Sequence, residues 1–189
     1  MKKILFAAMM LLAGVINISA QDAQATQTIE EPEFEFEPYT VNAEHTGLDQ
    51  ALPCENAYGK AKAGASVYMF GIGKVKSYYY VDGTASKLAL TTNDCIVINT
   101  GGKSPLQTLT INKFDIMSTK RRFQNGEAGT FTGAQTGSEG GETFKYKKFG
   151  KASVLIPLST LTPGQYCLTI TNSMTNSKSQ KVYTFSISQ

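Results

Sequence analysis

Apolar and polar residues alternate along most of the chain after residue 60, in short runs separated by glycine, asparagine and proline. Residues 166–170, for example, alternate tyrosine, leucine and isoleucine with cysteine and threonine, which is the period of a strand with one buried face. Comparable runs recur at about the 8- to 12-residue spacing of an antiparallel sandwich, without an intervening helical period. The pattern therefore predicts an all-β fold, an antiparallel β-sandwich of about seven to nine strands.

A proline–glycine turn opens the strand at residue 166. Leu161, Pro163, Gly164 and Tyr166 have the spacing of the tyrosine corner found in immunoglobulin-like sandwiches. In that corner a buried tyrosine hydroxyl bonds to backbone a few residues upstream and fixes the crossing between the sheets. We therefore expect an immunoglobulin-like sandwich in which the Tyr166 hydroxyl is buried and bonded to backbone near Leu161.

Two other stretches predict turns between strands. Asp82 and Gly83 follow a strand predicted over residues 75–81 and have the composition of a tight hairpin turn. Residues 125–142 are rich in glycine and hold an isolated aromatic residue, Phe131. This composition predicts a mobile loop or a weak hairpin.

The first twenty residues have the composition of a secretory signal peptide. Two lysines precede an apolar run over residues 4–16, and small residues follow at Ser19 and Ala20. We expect cleavage after Ala20, with a cut after Ala25 as the alternative, and therefore an exported protein, periplasmic or extracellular. The apolar run is too short for a comfortable membrane span, and no transmembrane segment is predicted later in the chain.

Charge divides the remaining sequence into two parts. Residues 21–59 carry nine acidic residues and no lysine or arginine, whereas residues 60–189 carry sixteen lysines and arginines against six acidic residues. This change predicts an acidic arm or linker over 21–59 and a β-sandwich domain over 60–189. Phe34 and Phe36 alternate with glutamates in the arm, which is consistent with either an added edge strand or a solvated acidic tail.

Three cysteines, Cys54, Cys95 and Cys167, allow at most one disulfide within the chain. Cys95 and Cys167 lie on two predicted strands and could bridge the two sheets. Against this bridge, Cys167 should face outward if Tyr166 faces the core, because neighbouring strand residues point to opposite faces. Isolated thiols and a pairing with Cys54 remain as alternatives.

The residue types that most enzymes need are sparse. His45 is the one histidine and lies in the acidic arm, so a serine or cysteine nucleophile in the body lacks an imidazole partner. Neither the histidine count nor the scattered cysteines fit a zinc site, and the loops lack a calcium-binding pattern. The sequence therefore predicts no catalytic residues, no metal and no cofactor.

A basic face is the remaining candidate site. Basic residues cluster in two neighbouring stretches of the body, and a cationic face attracts anionic glycans, lipid headgroups or acidic proteins. Nucleic acid is not expected as a partner of an exported protein. A solvated surface balanced by the acidic arm is the alternative interpretation. The candidate residues are Lys120, Arg121, Arg122, Lys145, Lys147, Lys148 and Lys151.

Five stretches carry a resemblance to known proteins: residues 71–77, 81–86, 109–114 with Arg121 and Arg122, 144–150 and 161–166. In these stretches the chain resembles a group of uncharacterised secreted β-sandwich proteins of Bacteroidetes bacteria, over residues 64–187. Gln165 stands where the group often has glutamate. The resemblance implies a small β-sandwich in the periplasm or outside the cell, and it implies no activity.

These observations together favour a non-enzymatic binding or structural module of the cell envelope with a basic face. The alternative is a carbohydrate-binding accessory domain, for which the run Tyr78, Tyr79 and Tyr80 could supply exposed rings. Tryptophan, a favoured sugar platform, is absent from the sequence.

Overall fold

A computed structural model describes residues 30–41, 47–63, 69–129, 133–136, 141–171 and 179–188. The predicted signal peptide and His45 lie outside these residues. The described part contains one complete short helix, α1 (Pro105–Thr108), and fifteen strands, and Met69 and Phe70 are also helical. In chain order these are β1 (Pro38–Val41), β2 (Leu48–Ala51), β3 (Cys54–Ala63), β4 (Lys74–Asp82), β5 (Ala89–Leu90), β6 (Cys95–Asn99), β7 (Leu109–Lys113), β8 (Asp115–Ile116), β9 (Lys120–Gly129), β10 (Gly133–Thr136), β11 (Gly141–Glu142), β12 (Lys147–Phe149), β13 (Ser153–Pro157), β14 (Gly164–Ile170) and β15 (Ser179–Ile187).

The strands form two sheets, so the predicted all-β sandwich is confirmed. A five-stranded sheet has the order β12-β13-β6-β1-β2, and all its strand pairs are antiparallel. The larger sheet has the order β10-β9-β4-β3-β15-β14-β7-β11. The described strands outnumber the predicted seven to nine because several of them are only two to four residues long.

The larger sheet curls until its two sides meet. Strand β8 follows β7 directly in the chain and pairs with β9, which lies towards the other end of the sheet. Ile116 of β8 is opposite Arg121 of β9 in this pairing. The curl gives the sheet an inner side that is enclosed by its own strands.

The larger sheet has a hydrophobic core on each of its two sides. Between the two sheets, Ile96 and Ile156 of the smaller sheet pack in one cluster with Leu168 and Phe185 of the larger sheet. Inside the curl, a second cluster contains Tyr79, Val81, Phe114, Phe123, Cys167 and Val182. Strand β14 therefore buries both of its faces, one in each core.

The structure corrects the orientation predicted for Cys167 and decides whether the cysteines form a disulfide. Cys167 is fully buried inside the curl, although alternation with Tyr166 suggested an outward position. The alternation itself is present, but the second face of β14 is covered by the curled sheet. None of the three cysteines forms a disulfide. Cys95 packs in a third cluster, with Val97 and Leu155 of the smaller sheet, whereas Cys167 belongs to the cluster inside the curl.

Asp82 and Gly83 form a turn as predicted, but the turn does not join two paired strands of a hairpin. Gly83 has a φ of 80° and its N–H bonds to the Thr119 carbonyl at 3.0 Å, which is a turn geometry suited to glycine. The next strand, β5, does not return along β4. It pairs in parallel with β15, so this turn carries the chain across the sheet rather than closing a hairpin. The glycine-rich stretch does form a hairpin, between β9 and β10.

Residues 30–41 and 47–59 are part of the fold rather than a linker. Strand β1 lies between β6 and β2 in the smaller sheet, and β3 lies between β4 and β15 in the larger one. The predicted boundary at residue 59 falls inside β3. Phe36 has a φ of 64°, so residues 33–37 do not form the single extended strand that their alternation suggested.

The predicted tyrosine corner is confirmed. The Tyr166 hydroxyl donates a 2.7 Å hydrogen bond to the carbonyl of Thr162, one residue after the expected position. The ring is fully buried and stacks on Phe185 with centroids 5.6 Å apart. A bond of this kind contributes about 1 kcal/mol to folding and fixes the connection between β13 and β14.

Candidate functional site

The seven residues of the predicted basic face lie in three different environments. Lys120, Arg121 and Arg122 belong to β9 in the curled sheet, whereas the other four lie in or beside β12, at the edge of the five-stranded sheet. The single face that the sequence predicted is therefore divided between two sheets.

Arg121 points into the curled sheet and does not contribute to a surface. Its side chain is 1% exposed, and one guanidinium nitrogen donates to both carboxylate oxygens of Glu55, at 2.8 and 2.7 Å. The Thr184 hydroxyl also bonds to this carboxylate. The sequence contains a signal for this inward position, because Arg121 shares its strand parity with Phe123, which is buried in the same interior.

Lys120 and Arg122 are on the outer side of β9, among tyrosines and acidic residues. The Lys120 ammonium is 3.5 Å from Asp82 and 4.9 Å from the ring centre of Tyr58. The Arg122 guanidinium lies 4.5 Å from the ring centre of Tyr78, and its Nε is 3.3 Å from Asp115. Both cations therefore have an acidic partner and an aromatic ring beneath them.

The lysines around β12 form the most exposed cationic surface of the predicted set. Lys145, Lys147, Lys148 and Lys151 are all exposed, and no described acidic side chain forms an ion pair with any of them. The fold adds Lys103, from the turn before α1, which sequence clustering could not identify. We call these five residues the lysine edge.

Three open grooves adjoin the lysine edge. One, of about 580 Å³, is lined by Lys145, Tyr146 and Lys147 together with Leu106 and Phe144. A second, of about 460 Å³, includes Lys103, Tyr146, Lys148 and Lys151. A third, of about 410 Å³, contains Lys147 and Lys148. Tyr146 is 41% exposed and separates the first two grooves.

The acidic segment, residues 30–37, contacts the body next to this edge. The Glu31 carboxylate accepts hydrogen bonds from the backbone N–H groups of Lys151 and Ala152, at 2.6 and 2.9 Å. Burial raises the pKa of Glu31, but these and further hydrogen bonds outweigh it and leave the pKa below its usual value. Glu31 is therefore held as a carboxylate that caps the turn between β12 and β13.

A second glutamate of the acidic segment reaches Lys103. The Glu35 carboxylate lies 3.4 Å from the Lys103 ammonium, which also stands 4.9 Å from the ring centre of Phe36. Phe36 packs against the core between the sheets, whereas Phe34 is 58% exposed. Among the lysines of the edge, the described part of the acidic segment thus neutralises Lys103 and leaves the ammonium groups around β12 without a counter-charge.

A second basic surface, on β3 and β4, was not among the predicted residues. Lys62 is directly opposite Lys76 in the register of these strands, and Lys60 is opposite Tyr78. These residues share the outer face of the curled sheet with Lys120 and Arg122. The alternation of lysine with other residues at positions 60–62 and 74–76 was the signal that could have identified them.

The described residues offer little for metal or thiol chemistry. Within the described ranges, no group of three or more histidine, cysteine or carboxylate side chains is placed to hold a metal ion. Burial raises the pKa of the Cys167 thiol well above its ordinary value, so this group stays protonated inside the curl. Cys54 is the exposed thiol of the three.

In the portion of the chain covered by the structure, there is no helix with the length and apolar character needed to cross a membrane. Comparison with known proteins found no matching family model, no matching curated protein and no matching solved structure.

Proposed function

We propose that the protein is a non-enzymatic binding module of the cell envelope that holds an acidic glycan on the lysine edge. The observation that carries the proposal is the exposure of four lysines around one strand, without acidic partners in the described residues and between open grooves. The predicted signal peptide supports export, and acidic polysaccharides are ligands that an exported protein can meet.

The ligand should be a polymer rather than a small anion. A single exposed ion pair contributes about 0–1 kcal/mol and is screened by salt, so one lysine holds an anion weakly. An extended ligand can contact several lysines at once, and the separate contributions then add. The lysines on both sides of Tyr146 fit a ligand that runs across β12.

Tyr146 favours a sugar polymer over other polyanions. The tyrosine run 78–80 does not supply exposed rings, because Tyr79 and Tyr80 are buried and the ring of Tyr78 lies against Arg122. Tyr146 is exposed between two grooves and beside the lysines. Its ring could stack on a sugar while the lysines contact carboxylate or sulfate groups.

The test compares an acidic glycan with a polyanion that contains no sugar. Affinities for dextran sulfate, neutral dextran and polyglutamate are measured for the wild type and for the triple variant Lys147→Gln, Lys148→Gln and Lys151→Gln. We expect the triple variant to lose at least about tenfold in affinity for dextran sulfate, since it removes three charge contacts. Lys87→Gln, at an exposed lysine outside the edge, is the matched control and should bind normally.

Tyr146→Ala distinguishes the contribution of sugar stacking to the affinity from the contribution of charge. It should weaken binding to dextran sulfate and leave binding to polyglutamate unchanged. Equal binding of dextran sulfate by the triple variant and the wild type would refute the lysine edge as the site. Equal losses of affinity for dextran sulfate and polyglutamate in Tyr146→Ala would refute the proposal that the ligand is a glycan.

A further inference from the structure

The connection between β3 and β4 exposes three large apolar side chains close together. Met69 is 73% exposed, Phe70 is 72% exposed and Ile72 is 53% exposed. We call Met69, Phe70 and Ile72 the apolar tip. Single exposed apolar residues are common on protein surfaces, but three within four positions favour a contact surface.

Lysines surround the base of the apolar tip. Lys62 and Lys76 face each other across β3 and β4, and Lys60 and Lys74 each lie two residues earlier on the same strands. Glu127 of β9 pairs with Lys74 and, at 3.7 Å, with Lys76. Lys60 and Lys62 have no acidic partner among the described residues, so the base of the tip retains an excess of positive charge.

Tyrosines follow the lysines along the same outer face. Tyr58 and Tyr80 stack with centroids 5.8 Å apart, and Lys60 lies 5.6 Å from the ring centre of Tyr58. From the turn towards the body, the order is therefore apolar side chains, then lysines, then tyrosines with cations. This is the order in which a membrane interface accommodates side chains, with apolar groups deepest and lysines and tyrosines at the headgroups.

The charge distribution decides between a lipid surface and a second copy of the chain. Two copies meeting through their tips would bring Lys60 and Lys62 of each close to the same residues of the other. A surface of anionic headgroups attracts those lysines and can bury the apolar tip at the same time. Charge complementarity therefore favours the lipid surface.

We propose that Met69, Phe70 and Ile72 insert into the headgroup region of an anionic phospholipid membrane while Lys60 and Lys62 contact its phosphates. The insertion is peripheral and reversible, because one turn enters the interface and the sheets remain outside it. This site is separate from the lysine edge, and the two bind independently.

The absence of tryptophan from the chain permits a local fluorescence test. Phe70→Trp places a single reporter in the tip, and Ile116→Trp places one at a 52% exposed position beside the opposite end of β9. The full chain is mixed with vesicles of phosphatidylglycerol and phosphatidylcholine, or of phosphatidylcholine alone. We expect emission from residue 70 to move to shorter wavelength with the anionic vesicles, and emission from residue 116 to stay unchanged.

Sedimentation with the same vesicles measures the affinity. Met69→Ser with Phe70→Ser and Ile72→Ser should lower the partition coefficient at least about tenfold, since the apolar contribution to interfacial binding is removed. Lys60→Gln with Lys62→Gln should lower it for anionic vesicles and not for phosphatidylcholine alone. The apolar N-terminal residues are the same in every variant, so differences report on the tip and its lysines.

Three outcomes would overturn the proposal. One is unchanged emission from residue 70 in the presence of anionic vesicles. Another is an equal change with phosphatidylcholine alone, which would exclude recognition of the anionic headgroup. The third is a blue shift that appears without vesicles and grows with protein concentration, which would identify self-association. Vesicle binding that persists in the Lys147→Gln, Lys148→Gln and Lys151→Gln variant would support a site separate from the lysine edge, and its loss would overturn that separation.

Discussion

Glu31 and Lys151 are 120 residues apart in the chain, and the Glu31 carboxylate accepts a 2.6 Å hydrogen bond from the Lys151 backbone N–H. The same carboxylate accepts a bond from the next N–H, that of Ala152. The acidic segment thus fixes the turn that carries one lysine of the edge. The acidic and basic parts of the sequence are therefore in contact here. The contact joins a carboxylate to backbone N–H groups, and no lysine ammonium group takes part in it.

Glu31→Gln should lower stability in a pH-dependent way. The folded state lowers the pKa of Glu31, so its stabilising effect is present above the pKa of the unfolded chain, about 4.3, and is lost as pH falls through the folded pKa. At pH 7 the variant should be less stable by about 1 kcal/mol, because an amide oxygen replaces a carboxylate as acceptor.

Urea midpoints at pH 7 and near pH 3 measure the effect. The difference between Glu31→Gln and the wild type should be present at pH 7 and smaller at the lower pH. Glu30→Gln, at the exposed neighbouring glutamate, is the control and should unfold like the wild type at both. A difference of the same size at both pH values would contradict the capping role of the carboxylate.

Gly150→Ala should destabilise more than Gly102→Ala. Both glycines have positive φ, 63° and 74°, so alanine costs about 1 kcal/mol at either position. A Cβ at residue 150 would also meet the Glu31 side chain, whereas a Cβ at residue 102 would meet no atom within 4 Å. In a Glu31→Ala background the cost at residue 150 should fall to that at residue 102. Equal midpoints for the two alanine variants in the wild-type background would disprove this contact.

Tyr166→Phe should lower the free energy of unfolding by about 1 kcal/mol or more. It removes the donor of the bond to the Thr162 carbonyl while keeping the ring that stacks on Phe185. Tyr146→Phe, at an exposed hydroxyl without a described bond, is the matched control. If both variants unfold at the urea concentration of the wild type, the corner does not stabilise the fold.

Breaking the Arg121–Glu55 pair should be the most destabilising of these changes. Glu55→Gln leaves a guanidinium that is 1% exposed without its counter-charge, which costs about 3 kcal/mol. Adding Arg121→Met should recover part of this loss, because the unpaired charge is then absent. Asp115→Asn, in the exposed pair with Arg122, should cost less than about 1 kcal/mol. A double variant less stable than the sum of its single changes would be inconsistent with a buried pair.

The strands and the corner could be predicted because their signals are local. Alternation over residues 166–170 and the spacing from Leu161 to Tyr166 depend on neighbours in sequence. The curl of the larger sheet could not be predicted, because it depends on the pairing of β8 with β9. That pairing covers the second face of β14 and the inner face of β9. Without knowledge of it, Cys167 and Arg121 were predicted to face the solvent.

The candidate site was predictable in part for a similar reason. Lys145 to Lys151 are close in sequence and stay together in or beside the edge strand β12, whereas Lys103 joins them only through the position of α1 beside the grooves. The exposure of the apolar tip could not be predicted from the sequence. It follows from the position of Phe70 and Ile72 in the hairpin between β3 and β4. Their isolation from the core becomes visible only in three dimensions.

The salt dependence of polyanion binding tests the lysine edge most directly. Each lysine that neutralises a charge on a linear polyanion releases a counterion, so the logarithm of the affinity falls with the logarithm of salt concentration. The account predicts a slope smaller by about 0.7–0.9 for each contact removed, hence by about 2–3 for dextran sulfate in the triple variant Lys147→Gln, Lys148→Gln and Lys151→Gln. Lys87→Gln should keep the wild-type slope. A triple variant with the wild-type slope would contradict binding at the lysine edge.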